Sequence, residues 1–308
     1  MRAVPRMKSI FIDCNDQLAP VWAGVIRTDD PKIDVNREPF KREELPLVLA
    51  SYDIALDDHS YMPTELVARC KQLKHIVFLG TGAGSYMNVH ELKARGITVH
   101  TIKGYGDTAV AEHTIALMWA AARDIARMDR EVRGGIWTPQ EGVQLTNKTL
   151  GVVGLGGIGR EVARLGTGIG MKVIAYNRTS RADARVQLID IDGLLARADV
   201  VSLNLVLNEQ TRGFLSAERI ERMKPGAILV NTARGALVDE AALIAALKSG
   251  RIRHAGLDVF HDEPLRPTHL LAAMPNVTLT SHAAFRTLEA SMTLLRRAID
   301  IVKTIAAY

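Results

Sequence analysis

Three polar residues follow three predicted strands in the C-terminal half of the chain. Arg234 follows the strand ILVNT, Glu263 lies just past the strand HAGLDVF, and His282 ends the strand VTLTS. Ligands of open α/β sheets bind beyond the carboxyl ends of the strands, so the three side chains are expected at one edge of a sheet. Singly, each has an ordinary explanation, as a surface cation, a loop acid or a strand-end histidine. Together they supply an anion holder, an orienting carboxylate and a proton-transfer group.

This set of groups suits hydride transfer to a 2-oxo acid. The planar guanidinium of Arg234 can bind the substrate carboxylate and polarise the carbonyl, which lysine does less well. His282 can protonate the developing alkoxide during reduction and accept the proton in oxidation, while a hydrogen bond to Glu263 would fix its tautomer. The sequence contains neither H-E-x-x-H nor paired Cys/His spacing nor G-x-S-x-G, so no metal site and no serine nucleophile are expected.

The elements that would position these residues alternate along the chain. Short β-branched runs followed by helix-length segments predict a parallel α/β fold. In the first part the predicted elements are strands at Ser9–Asp13, Tyr52–Leu56, His75–Leu79 and Ile97–His100, with helices at Pro63–Lys71 and Val89–Arg95. Residues 15–47 are rich in proline and charge and give no clear element. The elements predicted after them are a helix at Thr108–Met128, strands at Leu150–Val153, Lys172–Tyr176, Val200–Val206, Ile228–Thr232, His254–Phe260 and Val277–Ser281, and an amphipathic helix at Thr287–Ala307. The apolar face of this last helix is expected to consist of Leu288, Met292, Leu295, Ile299 and Val302.

A glycine-rich turn follows the strand Leu150–Val153. The segment Gly154-Leu155-Gly156-Gly157-Ile158-Gly159 fits G-x-G-x-x-G between a strand and a helix, the context of a dinucleotide site. Gly154 would make the tight turn, Gly156 would let the backbone approach the pyrophosphate, and Gly159 would let the helix pack on the strand. The pyrophosphate would lie at the helix N-terminus, where free N–H groups favour an anion. Gly157 and Ile158 are assigned to the same site, as are Thr232 and Ala233 before Arg234.

The second strand of this block ends in Asn177, Arg178 and Thr179, followed by Ser180 and Arg181. A site that prefers NAD usually has an acidic residue at the position of Asn177, to bind the ribose hydroxyls. Here a neutral residue is followed by hydroxyl and guanidinium groups, which can hold a 2′-phosphate. We therefore expect NADP(H) to be preferred, with NAD(H) possible. The alternative is that Arg178 and Arg181 belong to a solvated loop.

Longer motifs resemble those of the D-isomer-specific 2-hydroxy acid dehydrogenases, which include glyoxylate and hydroxypyruvate reductases. The similarity runs from about Lys74 to Thr287 and rests on VVGLGGIGREVA, NTARGALVDEAAL, GLDVFHDEP, SHAAFRT and TAVAEHTIAL. The resemblance implies that Arg234, Glu263 and His282 are the catalytic residues and that Asp258 lies near the nicotinamide. It also implies that backbone N–H groups of Gly82, Ala83 and Gly84 meet the substrate carboxylate, alongside Arg234 and His282.

The family also implies an architecture. A Rossmann doubly wound domain, residues 104–285, would accompany a smaller flavodoxin-like α/β substrate domain, residues 1–103 and 286–308, with the active site in the cleft between them. Homodimerisation is implied through the helix containing Glu112 and His113 and the loop of Trp137. Where many relatives have other residues, the chain has Ser281, Asn204, Val206, Gly106 and Tyr86. Gly106 disfavours formate as the substrate, and Tyr86 indicates an unusual substrate side.

Composition excludes several classes of protein. The 308 residues carry a net charge of +5 without a dense basic run, so nucleic acid is not an expected partner. No apolar stretch has the length of a transmembrane helix or a signal peptide, and the two cysteines are too few for a disulfide framework, so we expect a cytoplasmic protein. Two alternatives to a glyoxylate- or hydroxypyruvate-reducing enzyme stay open: a dinucleotide-sensing corepressor and a phosphoglycerate dehydrogenase.

Overall fold

The chain forms two compact α/β units. The computed structural model describes residues 7–179 and 186–307. The first unit combines Met1–Gly106 with Arg286–Tyr308, and the second is Asp107–Phe285. Each unit contains one parallel sheet, so the predicted α/β fold class is confirmed.

The sheet of the first unit has, within the described residues, five parallel strands in the order β2-β1-β3-β4-β5. The strands are Ser9–Phe11 (β1), Ile33–Val35 (β2), Ile54–Asp57 (β3), His75–Phe78 (β4) and Thr98–Thr101 (β5). Its helices are Leu18–Val25 (α1), Leu45–Val48 (α2), Thr64–Val67 (α3), Val89–Ala94 (α4) and the C-terminal helix Leu288–Ala306, with 3-10 turns at Arg42–Glu44 and Ala83–Ser85. This is the flavodoxin-like order, whose switch point lies between β1 and β3.

Both faces of this sheet are buried, because alternate residues of each strand enter different cores. Phe11 and Val77 pack with the C-terminal helix, whereas Ile10 and Ile76 pack on the opposite side. The C-terminal helix begins with Thr287, whose side chain accepts a hydrogen bond from the Ala290 N–H.

Two sequence predictions for the first unit were wrong in detail. The strand β2 was not predicted, because only its first residue, Ile33, is buried and three residues give no alternating pattern. The apolar stripe of the C-terminal helix was predicted to include Leu288 and Met292, which are exposed; Leu294 and Ala298 are buried instead.

The sheet of the second unit has, within the residues described, seven parallel strands in the order β12-β11-β10-β9-β6-β7-β8. The strands are Thr149–Val153 (β6), Lys172–Tyr176 (β7), Gln187–Leu188 (β8), Val200–Leu203 (β9), Ala227–Asn231 (β10), Ile252–Leu257 (β11) and Val277–Leu279 (β12). The helices are Asp107–Ala122 (α5), Ile125–Arg133 (α6), Gly157–Gly168 (α7), Ile191–Arg197 (α8), Ala217–Arg222 (α9), Glu240–Lys248 (α10) and Leu270–Ala273 (α11), with a 3-10 turn at Gly235–Leu237. The order reverses at β6, the strand that leads into the glycine loop, as in a doubly wound dinucleotide-binding fold. The six predicted strands are present, and β8 is the additional one.

The predicted helix Thr108–Met128 is in fact two helices, α5 and α6. Asp124 interrupts it with a left-handed backbone, at φ 51°. Its Oδ1 lies 3.2 Å from Nδ1 of the buried His254, whose Nε2 lies 2.9 Å from Thr278 Oγ1. Burial lowers the pKa of His254 to about 4, although Asp124 acts against that shift. The break is fixed by a residue 130 positions away, so helical periodicity alone did not predict it.

Among the described residues, none of the helices combines the length and the apolar composition needed to cross a bilayer.

Candidate active site

His282 and Glu263 form a direct pair in the second unit. Nδ1 of His282 lies 2.6 Å from Glu263 Oε2. His282 has a left-handed backbone at φ 52°, and its N–H donates to the Asp258 carbonyl at 2.8 Å. The ring meets Phe285 edge-on, with the centroids 6.5 Å apart. The two side chains are 23% and 32% exposed, so the pair is accessible from solvent.

Glu263 is held in the form of a carboxylate. Burial raises its pKa, but the hydrogen bond with His282, the N–H of Phe260 and the charge on Arg234 together outweigh burial and lower it. The Phe260 N–H donates to Oε1 at 2.9 Å, which leaves Oε2 for the imidazole. A carboxylate in this position fixes the orientation of the ring, which a proton-transfer group needs.

Arg234 follows β10, the neighbour of β11 in the sheet. The buried side chain of Asn231 shapes this turn, donating to the Arg234 carbonyl at 2.9 Å and accepting from the Ala233 N–H at 3.0 Å. A Cβ at Gly235 would collide with the backbone of Phe260, so only glycine lets the Arg234 turn pack against the segment that leads to Glu263. The structure therefore brings all three predicted catalytic residues to the carboxyl edge of β10, β11 and β12.

Asp258 organises the backbone around His282. Its fully buried carboxylate accepts hydrogen bonds from Thr280 Oγ1 at 2.6 Å, the Ala283 N–H at 2.9 Å and the Ala284 N–H at 2.9 Å. His113 Nε2 lies 3.6 Å from Asp258 Oδ1 and 3.0 Å from Thr280 Oγ1. The sequence assigned Asp258 to the nicotinamide and gave Thr280 no role; the contacts show that both shape the loop of His282.

The glycine loop has the backbone that a dinucleotide requires. Gly154 has φ 99°, and a Cβ there would lie 2.8 Å from the Asn204 carbonyl oxygen. A Cβ on Gly159 would collide with the Gly154 carbonyl, which explains the close packing of α7 on the turn. A Cβ on Gly156 would meet no heavy atom within 4 Å, so the N-terminal end of α7 is open to a ligand there. A Cβ on Gly157 would meet the carboxylate of Asp107.

The end of β7 is tied to this loop. Asn177 Oδ1 accepts from the Leu155 N–H at 3.1 Å, and its Nδ2 donates to the Thr179 carbonyl at 2.7 Å. Arg178 Nη1 donates to Gln210 Oε1 at 2.5 Å. Ser180 and Arg181, also considered as phosphate ligands, lie outside the described residues.

Thr232 and Ala233 lie between β10 and Arg234. Thr232 is nearly buried, and its hydroxyl is 2.8 Å from that of Thr114 on α5. The carbonyl of Ala233 accepts from Arg234 Nη1 at 2.6 Å. Thr232 thus joins the strand end to α5, while Ala233 limits the rotation of the guanidinium.

The predicted substrate loop, Gly82-Ala83-Gly84, lies in the first unit. It follows β4 and forms the start of the 3-10 turn Ala83–Ser85. The ring of Tyr86, which comes next, packs edge-on against His59 at a centroid distance of 5.1 Å.

His59 belongs to an acidic cluster that the sequence analysis missed. Asp13 accepts from the N–H groups of Asp58, His59 and Ser60 at 2.9, 3.0 and 3.1 Å. Asp13 and Asp57 follow or end neighbouring strands, so the strand-end rule that identified Arg234 would also have found them. In the described parts of the chain, no three His, Cys, Asp or Glu residues are grouped as a metal site.

Comparison with known proteins identifies relatives over most of the chain. Residues 115–284 match the model of the D-isomer specific 2-hydroxyacid dehydrogenase NAD-binding domain. A hydroxypyruvate reductase of Thermotoga maritima is 36% identical over 282 residues, which are 89% of this chain and 90% of the relative. A D-3-phosphoglycerate dehydrogenase of Archaeoglobus fulgidus is 38% identical over 82% of this chain, but the match covers only 49% of that relative.

A solved structure extends the likeness to both units. An acyclic imino acid reductase in complex with NADPH and D-Arg is 31% identical, with a TM-score of 0.84 and coverage of 98% of this chain and 97% of that chain. The match spans nearly all of both polypeptides.

Proposed function

Because the chain belongs to the D-isomer-specific 2-hydroxyacid dehydrogenase family, we propose that Arg234, Glu263 and His282 are its catalytic residues. The chain is an oxidoreductase that transfers a hydride between a nicotinamide dinucleotide and a small 2-oxo or 2-hydroxy acid. We assign the second unit to the dinucleotide and the first unit to the substrate. The observation that carries the proposal is the 2.6 Å contact between His282 and Glu263 at a strand edge next to the Arg234 turn.

The residues present fit a dinucleotide, since the open face at Gly156 and the positive φ of Gly154 provide the cradle its pyrophosphate needs. The nicotinamide supplies the hydride. His282 donates a proton to the oxygen of the 2-oxo acid during reduction and takes it back in oxidation. Glu263 holds the imidazole with Nδ1 towards the carboxylate, and we assign the proton transfer with the substrate to Nε2. Arg234 binds the substrate carboxylate.

The substrate class we favour is a small 2-oxo acid of the glyoxylate or hydroxypyruvate type. Relatives named hydroxypyruvate reductase and glyoxylate reductase support it, at 36% and 34% identity over 89% and 90% of this chain. We propose that backbone N–H groups of Gly82, Ala83 and Gly84 bind the carboxylate of this acid. Phosphoglycerate dehydrogenase activity is a second candidate function, because the relative of that name is 38% identical, close to the identities of the two reductases.

We propose NADP(H) as the preferred cofactor, with NAD(H) as the alternative. No acidic side chain stands at Asn177, and Arg178 offers a guanidinium at the end of β7. A relative with known structure contains NADPH. A charge-assisted hydrogen bond contributes about 1.5–3 kcal/mol, so one contact from Arg178 gives a preference of roughly tenfold to hundredfold.

We also propose a homodimer built on α6 and the loop that follows it. Ile125, Val132, Ile136 and Trp137 are 51%, 51%, 53% and 84% exposed in the isolated chain. Apolar side chains exposed together mark an interface. The two cysteines, Cys14 and Cys70, are buried free thiols, which fits the reducing conditions of the cytoplasm.

A substrate screen tests the function directly. Glyoxylate, hydroxypyruvate, pyruvate and bulkier 2-oxo acids are assayed with NADPH and with NADH, and 3-phosphoglycerate with NADP+ and with NAD+, with His282→Ala as the blank. We expect the largest kcat/KM with a small 2-oxo acid and NADPH. Highest turnover of 3-phosphoglycerate would favour the second candidate. Tight dinucleotide binding without turnover of any acid would favour a corepressor instead.

A further inference from the structure

Gln210 contacts the cationic group proposed to select the cofactor. Its Oε1 accepts a hydrogen bond from Arg178 Nη1 at 2.5 Å, although the residues are 32 positions apart. Gln210 lies between β9 and α9, and Arg178 follows β7. These strands flank β6, which leads into the glycine loop, and all three are parallel. The two loops therefore leave the sheet on either side of the dinucleotide turn.

The turn that carries Gln210 is fixed by its own hydrogen bonds. Asn208 Oδ1 accepts from the N–H groups of Gln210 and Thr211, at 2.9 and 3.1 Å. Thr211 Oγ1 donates to the Val206 carbonyl at 2.6 Å and accepts from the Asn208 N–H at 2.8 Å. An Asn-based turn of this kind limits backbone freedom, so Gln210 is presented from a defined position.

Asn177, which precedes Arg178, uses its side chain for hydrogen bonds within the protein. Both ends of the Asn177 amide are used, one by the Leu155 N–H and the other by the Thr179 carbonyl. Asn177 thus joins the glycine loop to the end of β7. Among the described residues of this loop, 177–179, Arg178 is the group that brings a positive charge.

We propose that Gln210 is a positioning residue for cofactor selection, which orients the Arg178 guanidinium towards the 2′-phosphate of NADP(H). This inference rests on the proposed NADP(H) preference. A guanidinium has five N–H donors, so a contact through one of them restrains the plane and leaves others for the phosphate. Glutamine is suited to this because its neutral oxygen accepts the hydrogen bond and leaves the charge on Arg178 intact. A carboxylate in its place would neutralise that charge and repel the phosphate.

The test compares Gln210→Glu and Gln210→Ala with Arg178→Ala, measuring KM and kcat for NADPH and NADH and the Kd of both by fluorescence titration. We expect Gln210→Glu to raise the KM and Kd for NADPH by about tenfold or more, the value of one charge-assisted contact, and to leave kcat and NADH binding nearly unchanged. Gln210→Ala should cause a smaller loss of the same kind. A merely structural role would weaken both cofactors together.

The matched control is Glu209→Gln, which changes the charge at the adjacent exposed position of the same turn. Because solvent screens it, we expect the NADPH to NADH ratio to change by less than about twofold. A native ratio that favours NADPH and is lost in Arg178→Ala, but persists in Gln210→Glu, would overturn the role of Gln210 and leave the preference for NADP(H) intact. A native enzyme that favours NADH would overturn both.

Discussion

The two units use the same device at the edges of their sheets. In the second unit, Asp258 accepts hydrogen bonds from the N–H groups of Ala283 and Ala284 in the loop of His282. In the first unit, Asp13 accepts from three successive N–H groups, those of residues 58–60. In both cases a carboxylate past one strand fixes the loop that leaves the neighbouring strand.

The surroundings of the two carboxylates differ. Asp258 has Thr280 Oγ1 at 2.6 Å and His113 Nε2 at 3.6 Å. Asp13 has a second carboxyl group close by, that of Asp57. Burial in the first place, and the charge of Asp13 next, raise the pKa of Asp57 well above its usual range. The first unit thus places two carboxyl groups close together, which disfavours the charged form of Asp57, where the second unit uses hydroxyl and imidazole groups.

The two loops have different proposed roles, one in proton transfer and the other on the substrate side. The loop fixed by Asp258 carries the proposed proton donor, and both carboxylate oxygens of Asp258 accept hydrogen bonds from that loop. The loop fixed by Asp13 carries His59, beside Tyr86, on the proposed substrate side. We therefore expect pH to alter the stability of the first unit through Asp57, and substitutions in the second unit to alter turnover.

Replacing His282 should have the largest effect. We expect His282→Ala to lower kcat by about 10²–10⁴-fold, the contribution of a general acid, without weakening NADPH binding. The matched control is His269→Ala, which removes another histidine of the second unit that pairs with a glutamate, here Glu240 at 3.2 Å. Steady-state kinetics and a fluorescence titration measure the two quantities. Near-normal kcat in His282→Ala would remove the histidine from the mechanism.

Arg234→Lys should have the next largest effect on turnover. Lysine keeps the charge but loses the paired geometry, so kcat/KM for the 2-oxo acid should fall by about tenfold to hundredfold. Because we propose that this side chain contacts the substrate, the KM of the cofactor should hardly change. Arg222→Lys, in an exposed pair with Asp192, is the control and should leave both constants unaltered. Equal losses for acid and cofactor would point to a disturbed turn rather than a lost carboxylate contact.

The positions of the three proposed catalytic residues at one sheet edge could be predicted because their signal is local. Arg234 and His282 come three residues after β10 and β12, and Glu263 comes six residues after β11. Because these strands are parallel neighbours, their ends lie at one edge of the sheet. The glycine loop is equally local, since Gly154 needs its positive φ and Gly159 its lack of a Cβ. The parallel α/β class follows from the alternation of β-branched runs and helices.

The features that were missed depend on distant pairings. The break at Asp124 is stabilised by His254 from β11, and the contact of Arg178 with Gln210 joins loops on either side of β6. The cluster of Asp13 and Asp57 forms where β1 pairs with β3. The strand-end rule would have found both residues, but their contact depends on that pairing. Hydrophobic periodicity carries no information on such contacts, because exposed or polar side chains on separate segments make them.

Asp258→Asn tests the second unit's side of the comparison, in which the carboxylate accepts hydrogen bonds from the loop of His282. An amide keeps one acceptor oxygen but turns an N–H₂ group towards a backbone N–H, of Ala283 or of Ala284. We expect a loss of about 1–3 kcal/mol in the free energy of unfolding, the cost of an unsatisfied buried group, together with reduced kcat as the loop of His282 shifts. Urea denaturation measures the first and kinetics the second. Glu218→Gln, on the exposed side of α9, is the control for loss of one charge. Unchanged stability in Asp258→Asn would contradict the role given to this web of hydrogen bonds.

Asp57→Asn tests the first unit's side of the comparison. Its effect on stability should be the smallest of the four, and smallest at low pH. Because the pKa of Asp57 is raised in the folded chain, the folded state holds its proton more firmly than the unfolded state does. Stability from this group is therefore complete below the unfolded pKa of about 4 and is lost as pH rises towards the folded value. Asparagine removes the titration, and its amide can accept from the Ser60 N–H, as Oδ1 of Asp57 does now at 2.9 Å.

The measurement is the melting temperature of the native chain and of Asp57→Asn across the acid-to-neutral range, with Phe replacing Trp119 and Trp137 in both. The buried Trp22 then reports the unfolding of the first unit. We expect the difference between the two chains to grow in favour of the variant as pH rises from about 4. Asp16→Asn, at a side chain 94% exposed, should follow the native curve. If the melting temperatures of Asp57→Asn and of the native chain change in parallel with pH, the titration of Asp57 does not affect the stability of the first unit. The proposed contrast between the two units would then be wrong.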